Sequence, residues 1–401
     1  MIRNIKINTT LLKSSLHLPC GLLLKNRLAK SAMSDSLANG KGDSTPAQAK
    51  LYERWAKGGI GLSIVGEVQG DARYPEKPGN LVFHDASHQK ALQTLVKKAT
   101  VNGAHIWAQL GHAGALSHPP ISQPVGPSAL DVSGIQCRGL LVNEVQQLPK
   151  MYAKTALFAK NVGFGGVQIH AAHGFLLSQF LSPLFNSRQD NYGGSIEARS
   201  SIIIDIINEV RKTVGPRFPI GIKINSSDML EGGLTEADAL EFVRILDGTS
   251  VDLIEISGGT YFPGTKSSSD GGGGGPYFLG FAEQARGATN IPLMLTGGFK
   301  YHQQAVDALA SGHVDIVGLA RALVVEPNVA NLWLAKDPSD PSYPSFESTP
   351  QGGITAWYTM RISALSQGYE DDFALSPADA LAIYEQRDKL RCVPWLKRFN
   401  Q

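Results

Sequence analysis

The chain has 401 residues, 42% hydrophobic and 18% charged, which is enough apolar material for a large core and excludes a disordered polypeptide. Lys and Arg number 37 against 35 Asp and Glu, so a net charge of +2 gives no electrostatic case for nucleic acid or an acidic membrane as the main partner. Cys20, Cys137 and Cys392 are odd in number and far apart, so they make neither a disulfide framework nor a CxxC metal or cluster site, and no run approaches the roughly 18 apolar residues of a membrane span.

No acidic residue precedes Asp35, whereas Arg3, Lys6, Lys13, Lys25, Arg27 and Lys30 do, one feature of an organellar presequence. Structured-looking sequence begins near Leu18 and a signal-peptide core is missing, so the protein is read as cytoplasmic. From Arg27 onward, short apolar runs rich in β-branched residues alternate with amphipathic stretches. The runs are Arg27–Met33, Gly61–Val65, Ala104–Leu110, Gly166–Ile169, Ile220–Asn225, Val251–Ile256, Ile291–Thr296 and Val314–Leu319. Between them the period becomes helical: Leu92, Leu95, Val96 and Ala99 share one face, as do Ile203, Ile206, Ile207 and Val210, and also Ala239, Phe242, Val243 and Leu246. Thr235-x-x-Asp238 reads as a capping box, and Gly312 closes a helix that begins near Tyr301.

Eight β-then-α units, with strands too apolar for a half-solvated sheet, predict an α/β fold of the (β/α)8 TIM-barrel type. An open doubly wound sheet is the rival, but neither G-x-G-x-x-G nor a Walker A loop is present. The expected organisation is one domain over 1–401, with the barrel at about 27–335, an N-terminal lead-in, and an extension at about 336–401. In that extension Asp337–Gly353 reads as a loop, while Ile354–Gln367 and Pro377–Leu390 read as helices packed on the barrel or on a second subunit. Asp270 and the glycines Gly271–Gly275 read as a mobile loop after the sixth strand.

Barrels of this type carry their sites where strands end and βα loops begin. That rule selects Ser31, Ala32, Met33 and Ser34 at strand 1, Glu67 at strand 2, and Gln109 to His112 at strand 3. His170 to Phe175 follow at strand 4, Lys223 and Asn225 at strand 5, Ser257 to Gly259 at strand 6, Gly297 and Gly298 at strand 7, and Gly318 to Arg321 at strand 8. The ends of strands 7 and 8 suit a phosphate: glycine backbone can approach an anion, and Arg321 supplies charge. His170 and His173 have three readings: hydrogen-bonded loop residues, metal ligands with Glu67 or His112, or two donors converging on one oxygen. Lys223, inside an apolar strand, must pair with an anion or act as a Schiff-base nucleophile.

These segments are together similar to a known family. Asn26-Arg27 through Met33-Ser34, His112-Ala113-Gly114, His170-Ala171-Ala172-His173-Gly174, Phe180-Leu181-Ser182-Pro183 with Asn186, and Asp190 to Ser195 resemble the old yellow enzymes, in order from about residue 18 to 335. These are flavin-dependent NAD(P)H oxidoreductases built on an eight-stranded barrel, and the local sequence resembles their bacterial-type, thermophilic-like branch. The resemblance implies non-covalent FMN, with NAD(P)H as hydride donor, across the C-terminal mouth. Ser31, Ala32, Met33 and Ser34 would run along the flavin, with Ser34 near N5. Glu67 and Gln109 would meet the ring edge, Lys223 the N1/C2 side, and Gly297, Gly298, Ala320 and Arg321 the phosphate. His170 and His173 would hold the carbonyl oxygen of an electron-poor alkene, the small-molecule partner, in a ping-pong reduction, and a homo-oligomer is possible.

Three departures mark the pocket. Phe175 stands where the family commonly has its proton-donating tyrosine, so the α-proton must come from water or another residue such as Tyr261. Ser34 stands where that branch often has a cysteine that tunes the flavin, and Ser36 where it has a substrate-binding tyrosine. The expected activity is therefore an FMN-dependent ene-reductase. The alternative is a desaturase, isomerase or oxidase of a biosynthetic intermediate. A flavin-free lyase using Lys223 and a non-catalytic flavin scaffold are further rivals. Relatives with an added iron–sulfur cluster are disfavoured because the cysteines for it are missing.

Overall fold

The computed structural model describes residues 10–83, 88–132, 134–262, 275–347 and 349–399. Eight strands follow the predicted runs: β1 Leu28–Lys30, β2 Leu62–Gln69, β3 His105–Gly111, β4 Val167–Ala171, β5 Ile220–Asn225, β6 Leu253–Ser257, β7 Leu293–Thr296 and β8 Ile316–Leu319. All neighbours pair in parallel, and the sheet closes where Val317 of β8 faces Leu28 of β1 and Ala29 of β1 faces Leu62 of β2. Every residue of β4 to β8 is buried, as expected for parallel strands covered on both faces. The TIM barrel expected from the eight alternating units is the observed fold.

Local chemistry explains the helices between the strands. Helix α1 (Pro46–Lys57) starts with proline, and the Thr45 hydroxyl accepts the Gln48 N–H at 3.2 Å. Helix α2 spans Gln89–Ala99 and α3 Leu148–Val162. Helix α4 (Ile196–Val214) buries Ile203, Ile206, Ile207 and Val210, the face selected by their spacing. Helix α5 (Glu236–Asp247) begins at Thr235, whose hydroxyl accepts the Asp238 N–H at 3.1 Å. Helices α6 (Leu279–Arg286) and α7 (His302–Ala310) complete the ring, and Gly312 with φ of 74° follows α7.

Three features were not anticipated. The lead-in forms a hairpin, Leu16–His17 paired with Leu23–Leu24, and Leu18 and Leu24 cluster with Leu62, Trp107, Leu253 and Ile316 at the N-terminal end of the barrel. The long β3–α3 connection carries a small sheet of Val125–Gly126, Leu130–Val132 and Ile135–Gly139. The extension contains the two expected helices, α8 (Gly353–Gln367) and α9 (Pro377–Phe399), but α9 runs nine residues beyond Leu390. It packs back on its own barrel, where Trp395 Nε1 donates to Ala72 O at 3.2 Å. Gly271–Gly274 lie outside the described residues.

A buried cation lies between the barrel wall and α1. Lys30 Nζ donates to Ile64 O at 2.8 Å and to the Tyr52 hydroxyl at 3.1 Å, and that hydroxyl donates to Asp35 Oδ2 at 3.1 Å. Burial, reinforced by the charge of Lys223 and opposed by Asp35 and Glu255, pushes the Lys30 ammonium down to about 7. Between about pH 7 and the ordinary lysine value of 10.5, the unfolded chain therefore binds the proton more readily than the folded one. Stability is expected to rise with pH across that window. Lys30→Met should flatten the rise, as read by urea unfolding at a series of pH values.

Candidate active site

Half-exposed residues ring the C-terminal mouth: Ala32, Met33, Ser34, His173, Gly297, Gly298, Ala320 and Arg321, all at or just past the ends of strands whose middles are buried. The mouth thus collects most of the residues selected from strand ends. Ser31, Gln109, His170 and Lys223 lie just beneath, each at most 3% exposed. Gly297 and Gly298 have φ of 118° and 85°, and Arg321 stacks over the Tyr358 ring at 4.8 Å, so Arg321 is held beside the strand-7 glycine turn by the extension. Glu67 sits on β2, but its side chain lies outside what is described.

The two histidines are held from several sides. Their ring centroids are 5.2 Å apart at right angles. Ala172 N donates to His170 Nδ1 at 3.3 Å, which puts that ring's proton on Nε2. His173 has φ of 62°, a left-handed conformation that costs about 1 kcal/mol or more in a non-glycine residue. Its N–H donates to Asn225 Oδ1 at 3.0 Å, its carbonyl accepts from Tyr261 N at 3.1 Å, and its Nε2 lies 2.9 Å from the Ser257 hydroxyl. Asn225 is in turn fixed, donating to Asp228 Oδ1 at 3.0 Å and Gly259 O at 2.9 Å. Burial, then the Lys223 charge, lowers His173 to about 3; burial, His173 and Lys223 hold His170 well below the usual range. Both rings are neutral N–H donors at neutral pH.

The sequence reading missed the partner of Lys223. Its Nζ forms an ion pair with Glu255 Oε1 at 3.0 Å and donates to Ser31 Oγ at 3.0 Å. Ser31 Oγ also donates to Glu255 Oε1, Thr296 Oγ1 donates to the same oxygen at 2.7 Å, and Gln168 Nε2 donates to Oε2 at 2.6 Å. Gln109 Nε2 then donates to Gln168 Oε1 at 2.9 Å, so five strands share one network. A lysine bound in this way is not poised as a Schiff-base nucleophile. The available signal was Glu255, a carboxylate inside the apolar run Val251–Ile256, one strand from Lys223 and in register with it.

Other candidates are placed differently. Phe175 is 2% exposed with its ring 5.0 Å from His170, and Tyr261, 54% exposed, lies 5.7 Å from His173 and 5.8 Å from Phe175. Ser36 is not brought to the open mouth: it is 2% exposed, with φ of 51°, beneath α9. Arg387 Nη2 donates to its hydroxyl at 3.0 Å and Arg391 Nη1 to its carbonyl at 2.9 Å. His112 stacks on Tyr74 at 4.5 Å, its Nδ1 accepts the Gly114 N–H at 3.0 Å, and burial lowers it to about 4. Among the described residues no three His, Cys, Asp or Glu side chains group as metal ligands.

A closed barrel whose mouth offers one buried cation, two neutral imidazoles, an amide and a glycine turn beside an arginine suits a phosphorylated cofactor rich in carbonyl acceptors. The profile of the NADH:flavin oxidoreductase / NADH oxidase family matches residues 20–333, and the chain belongs to that family. The NADH-dependent flavin oxidoreductase iliE of Hypocrea jecorina is 34% identical over 343 residues, covering 77% of this chain and 85% of that one. The NADPH dehydrogenase of Geobacillus thermodenitrificans is 33% identical over 311 residues, covering 77% and 89%. The NADH oxidase of Thermoanaerobacter brockii is 32% identical over 316 residues, but the chain spans only 48% of its length. The solved old yellow enzyme homologue from Zymomonas mobilis superposes with a TM-score of 0.72 over 87% of this chain and 98% of that one, at 22% identity, a likeness of fold. FMN is the cofactor and a nicotinamide nucleotide the hydride donor. The donor set fits FMN: Lys223, Arg321 and the amide and imidazole N–H groups at the mouth would serve the acceptors of such a molecule.

Proposed function

We propose that the protein is an FMN-dependent ene-reductase that uses NAD(P)H to reduce the activated C=C bond of α,β-unsaturated carbonyl compounds. The observation that carries this reading is the neutral, rigidly held pair His170 and His173 at the barrel mouth. FMN, when bound, stores the two electrons that NAD(P)H delivers and passes them on as hydride. Lys223, with Glu255 behind it, would steady negative charge along one edge of that group, and Gln109 would present an amide to it. Ser31 to Ser34 would border it, while Gly297, Gly298, Ala320 and Arg321 would hold its phosphate. His170 Nε2–H and an N–H of His173 would converge on the substrate carbonyl oxygen, where negative charge grows as the β-carbon gains hydride. Because neither ring has to change protonation or move, the donors need little reorganisation during the reaction.

The purified protein should show a flavin band that bleaches with anaerobic NADPH or NADH and returns on adding cyclohexenone. A band that bleaches but returns only with oxygen would favour the second reading, a specialised desaturase, isomerase or oxidase, which Phe175 in the proton-donor position supports. No flavin band after incubation with FMN would sink both.

A further inference from the structure

Phe175 packs on His170 and carries no acidic proton, and Tyr261 is more than half exposed. A third group lies on the opposite side, where the loop after β2 meets α9. Ser34, at the end of β1, is bridged to Gly66 of β2 and stands half-exposed at the mouth. Behind it, the Glu76 carboxyl lies beside the Ser34 and Asn80 side chains, and its Oε2 is buried with no hydrogen-bond partner among the described residues.

Helix α9 closes this space with Tyr384, Arg387, Asp388 and Arg391. Lys77 Nζ lies 5.7 Å and the Arg387 guanidinium 5.5 Å from the Tyr384 ring. Asp388 is 3% exposed and its carboxyl lies beside the Tyr384 hydroxyl, although neither carboxylate oxygen makes a well-aligned hydrogen bond among the described residues. The flanking arginines do not supply one: Arg387 donates to Ser363 Oγ at 2.8 Å and Ser36 Oγ at 3.0 Å, and Arg391 donates to Ser36. Glu76, partly exposed, and the buried Asp388 thus feel each other's charge with few donors aimed at them, which raises the proton affinity of each. Burial, with Asp388 adding to it and Lys77 opposing, raises Glu76 above the usual carboxylate range; burial likewise raises Asp388, against Lys77, Arg387 and Arg391.

We propose that Glu76 stores the proton for the substrate α-carbon and that Ser34 is its outlet into the mouth. The inference rests on the alkene-reduction reading. As hydride reaches the β-carbon, the C=C electron pair is released toward the α-carbon and carbonyl oxygen. The α-carbon forms its new C–H bond with the Ser34 hydroxyl proton, the Ser34 oxygen takes the Glu76 carboxyl proton, and Glu76 is left as a carboxylate. Water reprotonates it before the next turnover. Ser34 touches the reacting atoms and is the catalytic residue of the relay; Glu76 acts through it, and Asp388 sets the proton affinity of Glu76.

The test is the pH profile of flavin reoxidation by cyclohexenone in stopped flow, measured on the FMN-loaded enzyme. Only protonated Glu76 can deliver, so the rate should be highest at low pH and fall as pH rises through the raised value of Glu76. Glu76→Gln should lose that inflection and run about 10²-fold slower, the scale of a lost general acid. Asp388→Asn removes a neighbouring negative charge and should move the inflection to lower pH, a shift that a purely structural role would not produce. Phe175→Tyr in the Glu76→Gln background should restore much of the rate. Independently of turnover, the infrared difference spectrum between oxidised and dithionite-reduced protein at neutral pH should contain a protonated-carboxyl band that Glu76→Gln removes. An unchanged inflection in Glu76→Gln, its loss in Tyr261→Phe instead, or no such carboxyl band overturns the proposal while enone-driven reoxidation still upholds the reductase reading. A wild-type enzyme that enones never reoxidise overturns both.

Discussion

Lys223→Met is expected to cost about 3–5 kcal/mol of folding stability, because removing one member of a buried pair leaves the other charge uncompensated. Glu255 is fully buried and would keep only Ser31, Thr296 and Gln168 as donors. Part of the loss is returned by Lys30, whose ammonium Lys223 currently disfavours. Replacing both partners, Lys223→Met with Glu255→Leu, should recover most of the stability, since a well-packed apolar pair avoids the desolvation of two ions. Urea unfolding of the three proteins decides it. A single variant within 1 kcal/mol of the parent would mean that Glu255 is neutralised at no cost, contrary to its place at the centre of the network.

The second large effect concerns the imidazoles. His170→Ala should slow reoxidation of the reduced enzyme by an enone about 10²- to 10³-fold and weaken binding of a phenol, as loss of one preorganised donor does elsewhere. His173→Asn should be milder: asparagine tolerates the left-handed φ of 62° and still offers an N–H. A histidine is neutral above its own pKa, and burial holds His173 at about 3 and His170 well below the usual 6.5. Phenol affinity should therefore show no inflection near 6.5, and one that disappears in His170→Ala would contradict the neutral-donor assignment.

Much of the barrel was legible because its signals are local. The eight runs became eight strands, Thr235 and Gly312 flank α5 and α7 as expected, and the apolar faces of α2, α4 and α5 are buried. The strand-end rule then placed Ser34, His173, Gly297, Gly298 and Arg321 around one mouth, since parallel strands of a closed barrel all end on the same face. The hairpin of the lead-in escaped notice because its strands are two residues each, too short to establish a period. Ser36 was assigned to the pocket by resemblance, but a positive φ at that residue and two arginines of α9 turn it away from the opening.

By itself, the order of apolar periods and caps determined the barrel, and the short motifs at strand ends carried the resemblance to one family, because both depend on neighbours a few residues away. Only the tertiary structure decided which charges meet. Lys223 and Glu255 belong to adjacent strands that each read as apolar on their own, and it is their parallel register that makes them a pair. Ser36 and Arg387 are 351 residues apart, and no local pattern in α9 indicates that its arginines fasten over the end of β1. The same docking brings Asp388 against Glu76 and raises the proton affinity of both carboxyls, since burial and charge proximity are properties of the assembled core.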